Sequence, residues 1–182
     1  MALPVLVVPN VLTPAECQCI TDYANIVDTD SFDADRDIDV AASAQLPEAF
    51  DDLMRRVLAA AKRGNKENFR FSDDLFIPEH VWVHRYDPGN KRGWHVDIAD
   101  PDEVDGRGRK LTVVVQLSKP ETYTGGGLEF FAYHKVVGED AKMARQQGSM
   151  VLFPSYEFHR VNPVKSGSRY SLVMVVAGKP FA

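Results

Sequence analysis

His95 and Asp97 stand two residues apart in Gly93-Trp94-His95-Val96-Asp97, and His159 follows in Phe153-Pro154-Ser155-Tyr156-Glu157-Phe158-His159. Residues two apart on a β-strand share a face, so His95 and Asp97 point into the same space if either does. Two imidazoles and one carboxylate from two strands form a facial triad with three open positions, a donor set that suits non-haem iron(II). Ten residues after His159 comes Arg169, with Ser171 on the same strand face. A guanidinium fork matches a carboxylate with two parallel hydrogen bonds, and a hydroxyl two residues on adds one more. That pair is a site for the distal carboxylate of a small diacid. Tyr86, nine positions before His95, brings a phenol within reach of the same carboxylate. His84 lies outside the motif but shares a strand face with Trp82 and Tyr86, which makes pocket lining a lesser reading for it. His80 and His134 read as solvated. Trp94 is expected to face away from His95, and Lys91 and Arg92 to sit in a solvated turn near the mouth, with contact to a phosphate or acidic substrate as the lesser reading.

Strands must hold these groups if they are to converge. From about His80 onward the sequence is rich in β-branched and aromatic residues, punctuated by Gly, Pro, Asp and Asn. Candidate strands are His80 to Tyr86, Trp94 to Val96, Leu111 to Leu117, Leu128 to Phe131, Ser149 to Phe153, Phe158 to Val161 and Tyr170 to Val176. Another is expected within Met1 to Val11. Thr13-Pro14-Ala15-Glu16 is a helix start, with Thr13 as N-cap, proline at the first helical position and Glu16 closing a capping box; this helix should run to about Ile26. A second is expected from Pro47 to Arg63, stopped by Gly64. Short strands after a helical segment predict a mainly β domain with supporting α-helices, a small barrel or jelly roll. The expectation is a single domain in which residues 1–75 give helical support and 76–182 form the core.

A length of 182 residues and a net charge of −5 are those of an ordinary single domain. No basic stretch is interleaved with aromatics, so nucleic acid is not an expected partner. The apolar run Leu3 to Val8 is broken by proline and too short to span a bilayer, so neither a signal peptide nor a membrane anchor is expected. Cys17 and Cys19, two apart on a helix, point to different faces; reduced thiols and a cytoplasmic location follow as expectations. The acidic stretch Asp28 to Asp39 suggests calcium, but its best loop register lacks the required glycine and has Ala44 where a bidentate glutamate belongs. A solvated loop that acts as a lid is the better reading. Asp100 to Lys110 reads as a charged loop, and Gly138 to Gln147 as a loop or a short helix. The sequence carries no signal for an oligomeric state.

The ordered set of His95-x-Asp97, His159 and Arg169-x-Ser171 resembles the signature of the Fe(II)/2-oxoglutarate oxygenase superfamily. More narrowly, the chain is similar to its prolyl 4-hydroxylase-like branch. The shared features are the Tyr86-to-His95 spacing, Gly125-Gly126-Gly127 before Leu128-Glu129-Phe130, Phe153-Pro154 ahead of His159, and His159-Arg160-Val161-x-Pro163-Val164 before Gly167 and Arg169. The opening Asn10 to Cys17 resembles that branch as well. The resemblance implies a double-stranded β-helix (jelly roll), Fe(II) held by His95, Asp97 and His159, and 2-oxoglutarate held by Arg169, Tyr86 and Ser171. Ascorbate is implied as reductant. The implied activity is that of a dioxygenase that hydroxylates a peptidyl proline in a peptide or protein, coupled to decarboxylation of 2-oxoglutarate to succinate. An oxygenase of a free amino acid or other small metabolite is a second expectation, and a non-catalytic jelly-roll module that binds a carboxylate ligand is a third. The loops Asp28 to Asp39 and Asp100 to Lys110 follow no pattern of the branch.

Overall fold

The computed structural model describes residues 5–27, 38–71, 73–78, 80–98, 108–132 and 139–179. The first described strand is β1 (Leu6–Val8), followed by α1 (Pro14–Ile26). The helix begins as its sequence requires: the Thr13 hydroxyl accepts from the Glu16 N–H at 3.3 Å, and the Glu16 carboxylate accepts from the Thr13 N–H at 2.8 Å. Two strands follow that the sequence does not announce, β2 (Ile38–Asp39) and β3 (Ala42–Gln45). The segment Ala-Ser-Ala-Gln has no β-branched or aromatic residue; its pairing with β4 (Trp82–Tyr86) makes it a strand, not its own propensity. Helix α2 (Asp51–Gly64) ends at Gly64 as expected, but not through a left-handed glycine cap. Gly64 keeps helical dihedrals, and the chain continues through a π-turn to Phe69 before Arg70 adopts a left-handed conformation at φ 58°. Gly64 is needed for proximity instead: a Cβ there would lie 2.8 Å from side-chain carbons of both Leu152 and Leu6.

The remaining strands are β5 (Lys91–His95), β6 (Gly108–Gln116), β7 (Tyr123–Gly125), β8 (Leu128–Phe130), β9 (Met150–Pro154), β10 (His159–Val161), β11 (Val164–Gly167) and β12 (Arg169–Gly178), with α3 (Glu139–Arg145) before β9. A six-stranded sheet runs β1-β9-β6-β12-β4-β3, a four-stranded sheet β2-β5-β10-β8, and β11 pairs with β7. Of the expected acidic loop, residues 28–37 lie outside the described residues, whereas Ile38 and Asp39 pair with Arg92 and Lys91. The lid expectation for that loop therefore falls outside the described residues, as do 99–107 of the second loop and His134.

Alternation decides what each face of the large sheet does. On β6, Leu111, Val113 and Val115 join Cys17 and Ile20 of α1 and Met54, Val57 and Ala61 of α2 in one core, together with Leu172, Met174 and Val176 of β12. The residues between them, Thr112, Val114 and Gln116 on β6 and Arg169, Ser171 and Val173 on β12, face the other way. That inner face meets β5, β8 and β10, so helices buttress one side of the sheet and the other is free to build a site. Cys17 lies in the helix-side core, where burial pushes its thiol up to about 11, and Cys19 is exposed; both are free. Among the described residues, no helix is long and apolar enough to cross a membrane.

Candidate metal centre

Two strands of the small sheet bring the triad together. His159, at the start of β10, lies directly opposite His95 at the end of β5, and their ring centroids are 4.1 Å apart. Asp97 is not on the strand, contrary to the expectation, because β10 begins at His159 and offers no partner beyond His95. Hydrogen bonds turn it inward instead: its N–H donates to Ser155 O at 2.8 Å, and Arg109 Nη1 donates to its carbonyl at 3.0 Å. The Thr112 hydroxyl donates to Asp97 Oδ2 at 2.9 Å, and Ser155 Oγ stands 3.2 Å from that hydroxyl. The Thr112 hydroxyl hydrogen is directed at the carboxylate, so Ser155 is the donor of that second bond.

Both imidazoles are presented in one tautomer. His95 Nδ1 lies 2.8 Å from Gly93 O and His159 Nδ1 2.8 Å from Glu157 O. A carbonyl only accepts, so each Nδ1 carries hydrogen and each Nε2 of the neutral ring offers a bare lone pair. Burial lowers the pKa of His159 to about 4, against the opposing pull of Asp97. Burial raises the Asp97 carboxyl, but contact with His95 and the charges of His159 and Arg92 outweigh it and hold the group below the usual carboxylate range. Asp97 Oδ1 is 3.4 Å from His95 Nε2, and Asp97 Oδ2 is 3.4 Å from His159 Nε2. Donors about 2.1 Å from one ion and at right angles to each other stand roughly 3 Å apart, so a modest contraction closes the triad on a metal. His95 Nε2 is buried without a hydrogen-bond partner among the described residues, and a metal ion would satisfy it.

The second half of the site is a buried guanidinium. Arg169 is 1% exposed; its Nε donates to Gln116 Oε1 at 3.2 Å, while Nη1 and Nη2 are buried with no hydrogen-bond partner among the described residues. Leaving the prongs of a buried cation unpaired is costly, so the fork is shaped for a carboxylate. The Tyr86 ring lies 5.4 Å from the guanidinium carbon, and Ser171 lines the same cleft as Arg169, His95, Asp97 and His159. All six expected site residues are thus brought to one cleft between the two sheets. His84 is not among its lining residues; it is buried with Nδ1 2.7 Å from Ser43 Oγ, and burial, aided by Arg92 and Arg169, lowers its pKa to about 3.

The family model described as the 2OG-Fe(II) oxygenase superfamily matches residues 81–176, the stretch that carries Tyr86, His95, Asp97, His159, Arg169 and Ser171. The chain belongs to the 2OG-Fe(II) oxygenase superfamily. This superfamily takes Fe(II) and 2-oxoglutarate, and both fit the groups found here: a bare His-Asp-His donor set and a buried, unpaired guanidinium. Among curated relatives of this oxygenase-family chain, a PKHD-type hydroxylase of Hyphomonas neptunium is 42% identical over 86 residues, covering 47% of this chain but 37% of that protein. Of solved structures, the viral collagen prolyl hydroxylase of Paramecium bursaria Chlorella virus-1, as its 2OG complex, matches with a TM-score of 0.75 at 18% identity over 97% of both chains. A prolyl hydroxylase of Trichoplax adhaerens in complex with a hypoxia inducible factor peptide fragment matches with a TM-score of 0.65 at 20% identity, covering 95% of this chain and 83% of that one. These likenesses establish the jelly-roll fold.

Sequence reasoning missed Gln116 and Thr112, although a signal existed: they are the polar positions in the otherwise apolar run Leu111-Thr112-Val113-Val114-Val115-Gln116-Leu117, and both fall on the cleft face. Gln116 should matter through Arg169. A hydrogen bond to a charged group is worth about 1.5–3 kcal/mol, so Gln116→Ala is expected to weaken 2-oxoglutarate binding roughly ten- to hundred-fold without affecting iron(II). Gln116→Glu should weaken it further, since the new carboxylate would occupy the fork. Calorimetric titration of both variants checks this, and unchanged 2-oxoglutarate affinity would show that Gln116 does not position the arginine.

Proposed function

We propose that this chain is an Fe(II)- and 2-oxoglutarate-dependent hydroxylase whose substrate is a peptidyl proline. The observation that carries the reading is the pairing, in one cleft, of two bare imidazole nitrogens and a carboxylate with a buried guanidinium whose two prongs lack partners among the described residues. His95 Nε2, Asp97 and His159 Nε2 would hold the iron, and Arg169 would take the far carboxylate of 2-oxoglutarate, with Ser171 and Tyr86 beside it. When bound, iron and co-substrate supply oxidation by O2, in which 2-oxoglutarate becomes succinate and carbon dioxide and one oxygen atom enters a substrate C–H bond. The protein's part is positioning and shielding. Thr112, Ser155 and Arg109 fix the Asp97 side chain and backbone, and the Gly93 and Glu157 carbonyls keep both histidine protons off the metal side. Val114, Val173, Leu128 and Val161 line the cleft with apolar surface and keep water from its depth.

Proline as the target is supported by the prolyl hydroxylases among the structural neighbours, one of them holding a peptide. Exposed apolar side chains flank the proposed ligands along the chain, Val96 and Ile98 on either side of Asp97 and Phe158 beside His159. An extended proline-rich segment has preset φ angles and no internal hydrogen bonds, so it lies on such a surface at low ordering cost. The test is incubation with iron(II), ascorbate, 2-oxoglutarate and a panel of proline-rich peptides beside free proline and other amino acids. The expected result is the gain of one oxygen atom on a peptide, matched by succinate. Stoichiometric succinate release with free metabolites alone would replace the peptidyl reading with that of a metabolite oxygenase.

A further inference from the structure

Strict alternation along β5 would put Arg92 on the outer face with Trp94, away from His95. The pairing with β10 shows otherwise. His159 lies opposite His95 and Val161 opposite Arg92, so β10 advances two residues while β5 advances three. The extra residue is a β-bulge, which re-aims the side chains around it. As a result Arg92 enters the same cleft as His95, Asp97 and Val161, while Trp94 remains outside, its ring 5.3 Å from that of Phe158 and 4.6 Å from the Arg160 guanidinium carbon.

Arg92 is placed differently from Arg169. Its side chain is 21% exposed, and its ion-pair contact among the described residues is one prong, Nη2, 3.5 Å from Asp97 Oδ1. That distance is at the limit of a hydrogen bond. Asp97 is moreover a proposed metal ligand, and its negative charge would be shared with a divalent ion. 2-Oxoglutarate would bring two carboxylates to the cleft, one of them to Arg169. Together with Asp97 they balance the metal and Arg169 and leave the charge of Arg92 unmatched. A guanidinium with spare donors at the open side of the cleft recognises a planar monoanion.

We infer that Arg92 is a specificity-determining residue that receives a carboxylate of the substrate, held close to the carbon that reacts. This rests on the reading of the cleft as an Fe(II)/2-oxoglutarate site. The carboxylate has two possible sources: the free carboxylate of an amino acid, or an acidic side chain next to the target proline in a peptide. A binding experiment on the protein loaded with Mn(II) and 2-oxoglutarate separates them. The probes are two pairs that differ only in charge: end-blocked Gly-Glu-Pro-Gly against Gly-Gln-Pro-Gly, and L-proline against L-prolinamide.

In one pair the charged member should bind about tenfold or more tightly than its amide, the return expected from one charge-assisted contact. Arg92→Gln should bring the charged probe down to the affinity of the amide, and Arg92→Lys should restore part of the difference. Neither variant should weaken Mn(II) or 2-oxoglutarate binding. The inference is overturned if neither pair shows a charge preference, or if Arg92→Gln weakens Mn(II) or 2-oxoglutarate binding instead. Mass analysis of the same probes with iron(II) and O2 reads the proline proposal separately: charge-selective binding without oxygen gain on any proline would reject that proposal and leave the Arg92 assignment standing.

Discussion

Replacing His159 by alanine is expected to abolish tight iron(II) binding while the fold persists. The imidazole is buried between the Phe130 and Phe153 rings on one side and Asp97 and His95 on the other. Its removal leaves one imidazole and one carboxylate, which cannot close a facial site. Truncating a buried ring also leaves a void, at a cost of about 2–5 kcal/mol for a large-to-alanine change, so stability must be followed alongside. His159→Gln serves as the second variant, since it fills much of the space without the imidazole nitrogen. Metal titration with a circular-dichroism spectrum of each variant is the measurement. Wild-type iron affinity in folded His159→Ala and in Asp97→Ala would remove the triad from the account.

The second large effect is expected at Arg169. Arg169→Ala should leave iron(II) binding intact and raise the 2-oxoglutarate requirement steeply. Losing one partner of a buried, hydrogen-bonded charge pair costs about 2–5 kcal/mol, or roughly 30- to 5,000-fold in affinity. Arg169→Lys should recover only part, because an ammonium is a point charge and cannot reproduce the fork. Gln116 Oε1 would then lose the Nε donor it accepts from, so the lysine variant also tests how far that hydrogen bond sets the geometry. Wild-type dependence on 2-oxoglutarate in Arg169→Ala would mean that the buried guanidinium serves another ligand.

Much of this site was legible because strand alternation is a short-range rule. Arg169 and Ser171 share the cleft face as their spacing requires, and the capping box at Thr13 forms as written. Where a neighbouring strand intervenes, alternation fails. His95 and Asp97 do come together, but not because they share a strand: β5 stops at His95, and hydrogen bonds from Thr112 and to Ser155 turn Asp97 inward. Arg92 enters the cleft through a bulge in the pairing of β5 with β10, for which Gly93 inside the strand is the local hint. Strand β3 lacks strand-forming residues and is made by its partner. Helix α2 ends at Gly64 without a left-handed glycine cap, because the chain continues through a π-turn whose exit Asn65 anchors, its Oδ1 accepting from Phe71 N–H at 2.9 Å and its Nδ2 donating to Phe71 O at 3.2 Å. Local pattern thus reached the residues that face the cleft, and tertiary pairing decided how two of them are aimed.

The most direct measurement is an anaerobic calorimetric titration of 2-oxoglutarate into the protein with and without iron(II), repeated on His159→Ala and Arg169→Ala. If one cleft holds both groups, 2-oxoglutarate binds once per chain and tightly only when iron(II) is present. Each substitution then removes tight binding by its own route: His159→Ala because the metal is lost, Arg169→Ala with the metal still bound. Binding that is indifferent to iron(II), or equally tight in both variants, would contradict the account.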